Sequence, residues 1–130
     1  MNCPKCKDSM VVLELKDVEI DKCFSCNGVW LDEGELEQLL QGSKLGEEII
    51  YSIIPHKKSK EKPVKCPVCG KKMTKILAGR SESIVLDKCE NEHGIWFDGG
   101  ELEKIIYMAD FGVDNEIYGY LRQIFGNKVK

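Results

Sequence analysis

Seven cysteines and one histidine stand at spacings that suit metal binding. They fall into two sets of four: Cys3, Cys6, Cys23 and Cys26; then Cys66, Cys69, Cys89 and His93. Sixteen residues separate the two C-x-x-C pairs of the first set, within the range typical of a zinc site. Four thiolates at tetrahedral positions complete the coordination of Zn²⁺ and leave no position for water. The first set therefore predicts a structural zinc site.

The second set differs from the first in its fourth member. When the two sets are aligned, Glu92 stands at the position equivalent to Cys26, and His93 follows it. Carboxylates, including that of Glu90, are disfavoured beside three thiolates, and a histidine side chain reaches farther than a cysteine. We therefore predict His93 as the fourth ligand and two Zn²⁺ per chain. If His93 is not a ligand, the second zinc has an open position and hydrolytic chemistry becomes an alternative.

Composition narrows the class of protein. The chain has 130 residues and seven cysteines, an odd number, and Met1 and Asn2 lead directly into the first cysteine without a signal peptide or an apolar span. Secreted disulfide scaffolds show the opposite features. The sequence thus predicts a cytoplasmic protein, with no membrane association, whose thiolates bind metal.

A long internal repeat organises the chain. Residues 21–40 recur at 87–106, and both copies carry Asp-Lys-Cys, Gly-x-Trp and Asp-x-Gly-Glu-Leu in the same order. A unit this small needs a metal or disulfides for stability. We predict a small α+β protein of two tandem zinc-ribbon units, each a metal-bound β-hairpin followed by two α-helices. The predicted units are residues 1–55 and 66–130, joined by a lysine-rich linker at 56–65.

Local patterns place the elements within each unit. Apolar, β-branched and alternating residues predict hairpin strands, and apolar residues at helical spacing predict the later helices. The predicted strands are Met10–Leu15, Val18–Lys22, Met73–Leu77 and Ser83–Lys88, and the predicted later helices are Lys44–Ile54 and Asp114–Phe125. Asp32 and Glu35 have the spacing of a capping box that begins a helix, and the second repeat has the same pattern. Gly28 is expected to supply a positive φ after the metal turn.

The charge is unevenly distributed. The formal net charge is −3, yet residues 56–75 carry eight lysines and one acid. An acidic protein is a poor candidate for nucleic-acid binding, which normally uses a basic face. The Lys57–Lys75 segment is the local exception, and a solvated linker is the simpler interpretation of it.

The two repeats resemble the transcription-factor-IIB-type zinc-ribbon family of small prokaryotic proteins. The resemblance rests on Cys-Pro-x-Cys followed by Asp-x-Cys-x-x-Cys-x-Gly-x-Trp-Leu-Asp-x-Gly-Glu-Leu, and it covers about residues 3–41 and 66–106. It implies zinc coordination by the seven cysteines, whereas His93 departs from the four-cysteine pattern. The family name points toward transcription, but function does not follow from fold.

Three functions fit these features. The first is a non-enzymatic adaptor that presents apolar helix faces, or Trp30 and Trp96, to a protein partner, or that pairs with a second copy as a homodimer. For both tryptophans, packing over the metal turn is the simpler expectation. The second is nucleic-acid binding through Lys57–Lys75. The third is a thiol redox or metal sensor, since zinc thiolates can be oxidised. No catalytic group remains outside the two sites, so we do not expect an enzyme.

Overall fold

A single antiparallel sheet runs through both repeats. The computed structural model describes residues 1–80, 82–112 and 115–126. Within these ranges the strands lie in the spatial order β1-β2-β3-β7-β6-β5-β4. The strands are β1 (Val11–Leu15), β2 (Val18–Lys22), β3 (Val29–Asp32), β4 (Ile54–Pro55), β5 (Thr74–Ala78), β6 (Ile84–Lys88) and β7 (Gly94–Phe97). The helices are α1 (Glu35–Leu39), α2 (Lys44–Tyr51), α3 (Glu101–Ala109) and α4 (Glu116–Phe125). The small α+β class is therefore confirmed.

The two predicted hairpins form, and each strand bound lies within one residue of the expected one. β1 pairs with β2 from Val11 opposite Lys22 to Leu15 opposite Val18. The two turn residues, Lys16 and Asp17, both have positive φ, at 51° and 63°, as a tight two-residue hairpin turn requires. β5 pairs with β6 in the same way, over a longer connection.

A third strand in each repeat lies beyond the predicted hairpins. β3 and β7 pair with each other at the centre of the sheet, with Trp30 opposite Trp96. The pair Val29–Phe97 and the pair Leu31–Ile95 flank them. In the alignment of the repeats, Val29 corresponds to Ile95 and Leu31 corresponds to Phe97, so each pair is the repeat-related copy of the other. The two repeats are therefore related by a pseudo-two-fold axis that passes between the tryptophans. The prediction of a hairpin and two helices for each unit was incomplete, because it lacked this third strand. The division at residues 56–65 stays a prediction.

The sheet separates two buried clusters. The first lies on the helix side and joins residues of both repeats, including Leu31, Leu36, Ile95 and Leu102. The second lies on the opposite side and contains Trp30, Trp96 and all seven cysteines, four of them fully buried and three packed against the cluster. Residues of a strand point alternately to the two faces, which explains why the tryptophans face the cysteines while their neighbours face the helices.

At each helix start, only one of the two hydrogen bonds of the predicted capping box forms. The backbone N–H of Asp32 donates to Glu35 Oε1 at 2.7 Å, as predicted. The Asp32 side chain does not cap the helix, because its Oδ1 accepts the indole N–H of Trp30 at 2.9 Å. The residue at the helix start is Gly34, with φ 87° and no side-chain cap. The second repeat shows the same three features.

Two later helices are shorter than predicted. α2 ends at Tyr51 instead of Ile54, and Ile54 joins Pro55 in β4, which pairs with β5. A residue before proline disfavours helical backbone, so the helix has to end before Ile54. α4 begins at Glu116 behind Asn115, whose Oδ1 accepts the Ile117 N–H at 3.0 Å; the predicted start, residue 114, lies outside the described residues. None of the helices that the structure describes is long and apolar enough to cross a membrane.

Candidate metal centres

The first C-x-x-C pair of each repeat lies on a tight turn. In the first repeat, the Cys3 carbonyl accepts the Lys7 N–H at 3.0 Å, and the Cys3 N–H donates to the Asp8 carbonyl at 2.7 Å. Lys7 closes this turn with φ 68°, and Gly70 occupies the same place in the second repeat with φ 74°. The Cys6 N–H lies 3.3 Å from Cys3 Sγ. Such N–H groups favour a thiolate over a thiol, as metal binding requires.

The second pair follows β2 on a similar turn. The Cys23 carbonyl accepts the Asn27 N–H at 2.8 Å, and the Cys23 N–H donates to the Gly28 carbonyl at 3.0 Å. The residue with positive φ is Asn27, at 63°, and not Gly28 as we predicted. The buried Lys22 ammonium donates to Asn27 Oδ1 at 2.7 Å. Asparagine tolerates left-handed backbone, and the hydrogen bond from Lys22 helps to hold the Asn27 side chain in this turn.

The structure brings the first four cysteines together in the geometry of a tetrahedral zinc site. The four sulfurs lie within 4.8 Å of one another, and Cys3 Sγ is 3.8 Å from Cys26 Sγ. Zn–S bonds of about 2.3 Å at tetrahedral angles place neighbouring sulfurs about 3.8 Å apart. The donor set and its dimensions therefore fit Zn²⁺.

His93 joins the three cysteines of the second group, and neither neighbouring glutamate does. Its Nδ1 lies 3.4 Å from Cys89 Sγ and 3.9 Å from Cys66 Sγ. A tetrahedral site with one Zn–N bond of about 2.05 Å gives a corresponding N···S separation of about 3.6 Å. Glu92 instead takes a turn position, with φ 60°. This group also fits Zn²⁺, and the chain has two zinc sites.

The cysteine thiols of one metal group can all ionise at such close distances only when a cation is bound between them. Burial, with contributions from Cys89 and Cys69, raises the pKa of the Cys66 thiol to about 11. The Lys71 N–H is the largest cause that lowers the pKa of Cys69, to about 6. Adjacent buried thiols cannot all ionise unaided. A bound zinc ion supplies the compensating charge and displaces the protons.

The two sites are connected through the central strands. A Cβ on Gly28 would lie 2.2 Å from Trp96 Cζ2, and a Cβ on Gly94 would lie 2.7 Å from Trp30 Cζ2. The His93 carbonyl accepts the Glu33 N–H at 3.2 Å. Each tryptophan thus packs on the glycine that follows the other repeat's metal turn. The sequence shows both glycines, but only the pairing of the repeats reveals this role.

Lysines from two distant segments meet in one groove. The groove lies beside the first metal turn and is lined by Lys5, Lys7, Lys62, Lys65 and Lys75, together with Glu61 and Asp98. Two of the lysines are neutralised: Lys5 pairs with Asp98 at 2.6 Å, and Lys75 pairs with the buried Asp87 at 2.5 Å. Within the described residues, the other three lysines form no salt bridge. The other five lysines of the predicted basic segment, at 57, 58, 60, 71 and 72, do not line this groove.

Replacement of His93 by alanine is expected to weaken only the second zinc site. The variant leaves three thiolates there, and the first group keeps all four of its own. Native mass spectrometry on the zinc-loaded protein should show two zinc ions in the wild type and one firmly held ion in the variant. The matched control is Glu92→Ala, which removes the neighbouring carboxylate and should retain two. Two firmly held ions in His93→Ala would contradict His93 as a ligand.

The Glu101 carboxyl group should make stability depend on pH. Its pKa is raised to about 7, mainly by burial; the Asp98 N–H that donates to it opposes the shift, and the charge of the Asp98 carboxylate adds to it. The pKa of an unfolded glutamate is about 4.3, so between these values the folded chain binds more protons. This group's contribution to the free energy of unfolding therefore falls as pH rises toward 7. Between pH 6 and pH 8, the wild type should lose stability relative to Glu101→Gln.

Denaturant titrations at several pH values, with zinc present, would measure that difference. A carbon-13 NMR titration of the Glu101 carboxyl group should give a midpoint near pH 7. A stability difference that stays constant with pH would contradict the shifted pKa.

Comparison with known proteins identifies both repeats independently. The family model described as transcription factor zinc-finger, a zinc ribbon of the transcription-factor-IIB type, matches residues 2–42 and 65–107. The matched segments contain all eight side chains of the two metal groups. No curated protein and no solved structure matches the chain.

Proposed function

The chain belongs to the transcription factor zinc-finger family of zinc ribbons, and on that premise we propose that it is a non-enzymatic zinc-binding adaptor for a protein partner. The observation that carries this proposal is the closure of both sites, since each offers four protein donors within 4.8 Å of one another. A catalytic zinc keeps one position for water or substrate. Each repeat, a ribbon with two following helices, then serves as a rigid scaffold.

The partner surface is not the tryptophan face. Trp30 and Trp96 are fully buried, so neither is available to another protein. The helix faces that carry Leu36, Leu102 and their neighbours also lie in the core. Tyr51 is the most exposed large apolar side chain among the described residues, at 88%. Aromatic side chains are enriched in protein contacts, so we propose that the partner surface includes Tyr51.

Cobalt substitution tests the closed sites. Co²⁺ replaces zinc in thiolate sites and gives visible absorption bands that depend on its ligands. For two closed sites, the spectrum should be that of four-coordinate sulfur-rich cobalt, unchanged between pH 6.5 and 8.5 and unchanged by added cyanide or azide. A spectrum that shifts with pH or with these anions would reveal an open position and would favour hydrolytic chemistry over an adaptor.

Site-directed photo-crosslinking tests the partner. A photoreactive amino acid at Tyr51 should capture one specific protein in the native host, whereas the same amino acid at Gln123 should not. Gln123 is the control because it is also exposed on a helix, α4, and does not line the groove that contains Tyr51. Equal capture from both positions, or none from either, would contradict an adaptor surface at Tyr51.

A second candidate function is single-stranded nucleic-acid binding in the lysine groove. The observation that favours it is the convergence of Lys7 with Lys62 and Lys65, three exposed lysines with no salt bridge among the described residues. Their positions suit contact with a phosphate backbone. Within the groove no aromatic side chain is present, so base stacking would not contribute and sequence preference should be weak.

Fluorescence anisotropy with a mixed-sequence single-stranded oligonucleotide tests this candidate. Binding should weaken with salt, and the double variant Lys62→Glu, Lys65→Glu should reduce the salt slope by about 0.7 per lysine. Lys44→Glu is the control, because Lys44 is exposed at the start of α2, away from the groove. No binding at low salt, or equal losses in both variants, would exclude the groove.

A further inference from the structure

No described strand covers the outer edge of β1, although helix α4 packs against this strand. β1 lies at one end of the sheet and pairs only with β2 among the described strands. Val11 and Val12 are 46% and 57% exposed on it. The strand contains neither lysine nor proline, the residues that commonly protect such edges from association. An edge of this kind is a template for another strand.

The opposite end of the sheet shows how the equivalent edge is covered. β5 is the counterpart of β1, in the same alignment that relates Cys3 to Cys66. β4 lies along β5, with Ile54 opposite Leu77 and Pro55 opposite Ile76. The repeat-related place for a strand covering β1 falls within α4, where the chain is helical. The pseudo-two-fold relation therefore breaks at this edge.

The backbone groups that β1 leaves unpaired can be assigned from β5. The Lys75 carbonyl points outward from β5 and accepts the His56 N–H at 2.9 Å. Leu77, two residues on, pairs with Ile54 of β4. Lys75 and Leu77 correspond to Val12 and Glu14. Because backbone groups alternate between the two sides of a strand, Val12 and Glu14 direct their N–H and C=O groups away from β2. Met10 does so too, and its N–H already donates to the Met1 carbonyl at 2.9 Å.

We propose that a second copy of this chain occupies the edge, with the two β1 strands antiparallel about a two-fold axis at Leu13. In this register Val12 lies opposite Glu14 of the second copy, and Val11 lies opposite Leu15. Both Val12–Glu14 pairs exchange hydrogen bonds, which satisfies all the outward groups of these residues. No like charges stand opposite each other. A shift that places Glu14 opposite Glu14 would bring two carboxylates together and is disfavoured.

The covered edge at β4 limits the assembly to two copies. An isologous contact uses the same patch on both subunits and closes on itself, whereas two open edges would permit continued addition. Pro55 lies on the outermost strand at the other end, and proline cannot donate a backbone hydrogen bond. The result is a dimer with a continuous sheet. A contact of this length, one short strand from each copy, is small, so the dimer should be detected at about 100 µM chain and dissociate on dilution.

Light scattering during size exclusion and native mass spectrometry test the dimer on the zinc-loaded full chain. Val12→Glu should raise the dimer dissociation constant by at least about tenfold, because it places like charges opposite each other twice. Val12→Lys should leave the dimer intact, since the introduced ammonium group would face Glu14 of the second copy. Tyr51→Glu is the control, because it adds the same charge at an exposed apolar residue away from β1.

Each outcome decides the proposal. A dimer that Val12→Glu disrupts and that Val12→Lys and Tyr51→Glu retain supports it. A wild type that stays monomeric at several hundred micromolar overturns it, as does a dimer insensitive to Val12→Glu. Equal disruption by both Val12 variants overturns the register. In a mixed-label sample, an intermolecular NOE between the α-protons of Leu13 in the two copies would supply direct support. Two bound zinc ions in every variant would show that the metal sites are intact.

Discussion

Removal of zinc is expected to unfold both repeats together. The cysteines and the two tryptophans form one buried cluster, so each metal group is part of the same core. Structural zinc contributes about 10–16 kcal/mol in small zinc-finger units, while a whole domain is stable by only about 5–15 kcal/mol. A strong chelator at pH 7.5 should therefore abolish the near-ultraviolet circular dichroism of the tryptophans and shift their emission to longer wavelength.

A single-site variant makes this prediction sharper. Cys23→Ser should release the first zinc and also change the environment of Trp96, because Trp96 packs on Gly28 of the first repeat and pairs with Trp30. The chain has only these two tryptophans, so emission from a Trp30→Phe background reports on Trp96 alone. Tryptophan circular dichroism that persists in protein shown to be metal-free would contradict a shared core. Emission from Trp96 that is unchanged by Cys23→Ser would contradict it as well.

Replacement of Gly94 by alanine is expected to destabilise the chain severely. Gly94 has φ 154°, and an added Cβ would lie 2.1 Å from the Leu31 carbonyl oxygen and 2.7 Å from Trp30. The carbonyl belongs to the paired strand and cannot move without opening the centre of the sheet. Overpacking combined with backbone strain should cost at least about 3 kcal/mol. Denaturant unfolding of the zinc-loaded protein measures the loss.

Three other glycines separate the causes of that effect. Gly28→Ala meets Trp96 at 2.2 Å without a positive φ, so it tests the close approach alone. Gly112→Ala has φ 92° and nothing within 4 Å, so it tests backbone strain alone. Gly119→Ala, inside α4 with open space around it, should raise stability by about 0.5–1 kcal/mol. If Gly94→Ala costs no more than Gly112→Ala, the close approach is not what makes glycine necessary.

Local patterns predicted much of the structure, and long-range pairing explains what they missed. The cysteine spacing, the hairpin alternation and the apolar helix faces are short-range signals, and each of them located its element. β3 and β7 are short strands, and each pairs with its counterpart in the other repeat, far away along the chain, so no local pattern indicates them. Asp32 shows a different limit: two local patterns competed for its side chain, and the Trp30 indole, two residues away, takes the carboxylate that the spacing to Glu35 predicted as a cap.

The metal groups were easier to predict than the surfaces around them. Zinc chemistry restricts ligands to a few residue types at a few spacings, and His93 could be singled out by the three cysteines before it. The lysine groove could not be predicted, because Lys5 and Lys7 reach it from the N-terminal metal turn while Lys62 and Lys65 come from the stretch just before Cys66. Only the pairing of the two repeats brings them together.

The short pairing of β3 with β7 also explains why both repeats benefit from lying on one chain. β3 and β7 meet over a single short stretch, from Val29 opposite Phe97 to Asp32 opposite Gly94, an association that would depend strongly on concentration if the repeats were separate molecules. A covalent connection raises the effective concentration of each strand for the other to about the millimolar range. Two linked halves also need not be identical, as two copies of one gene product must be. The chain can therefore keep four thiolates in one half and replace Cys26 by the imidazole of His93 in the other.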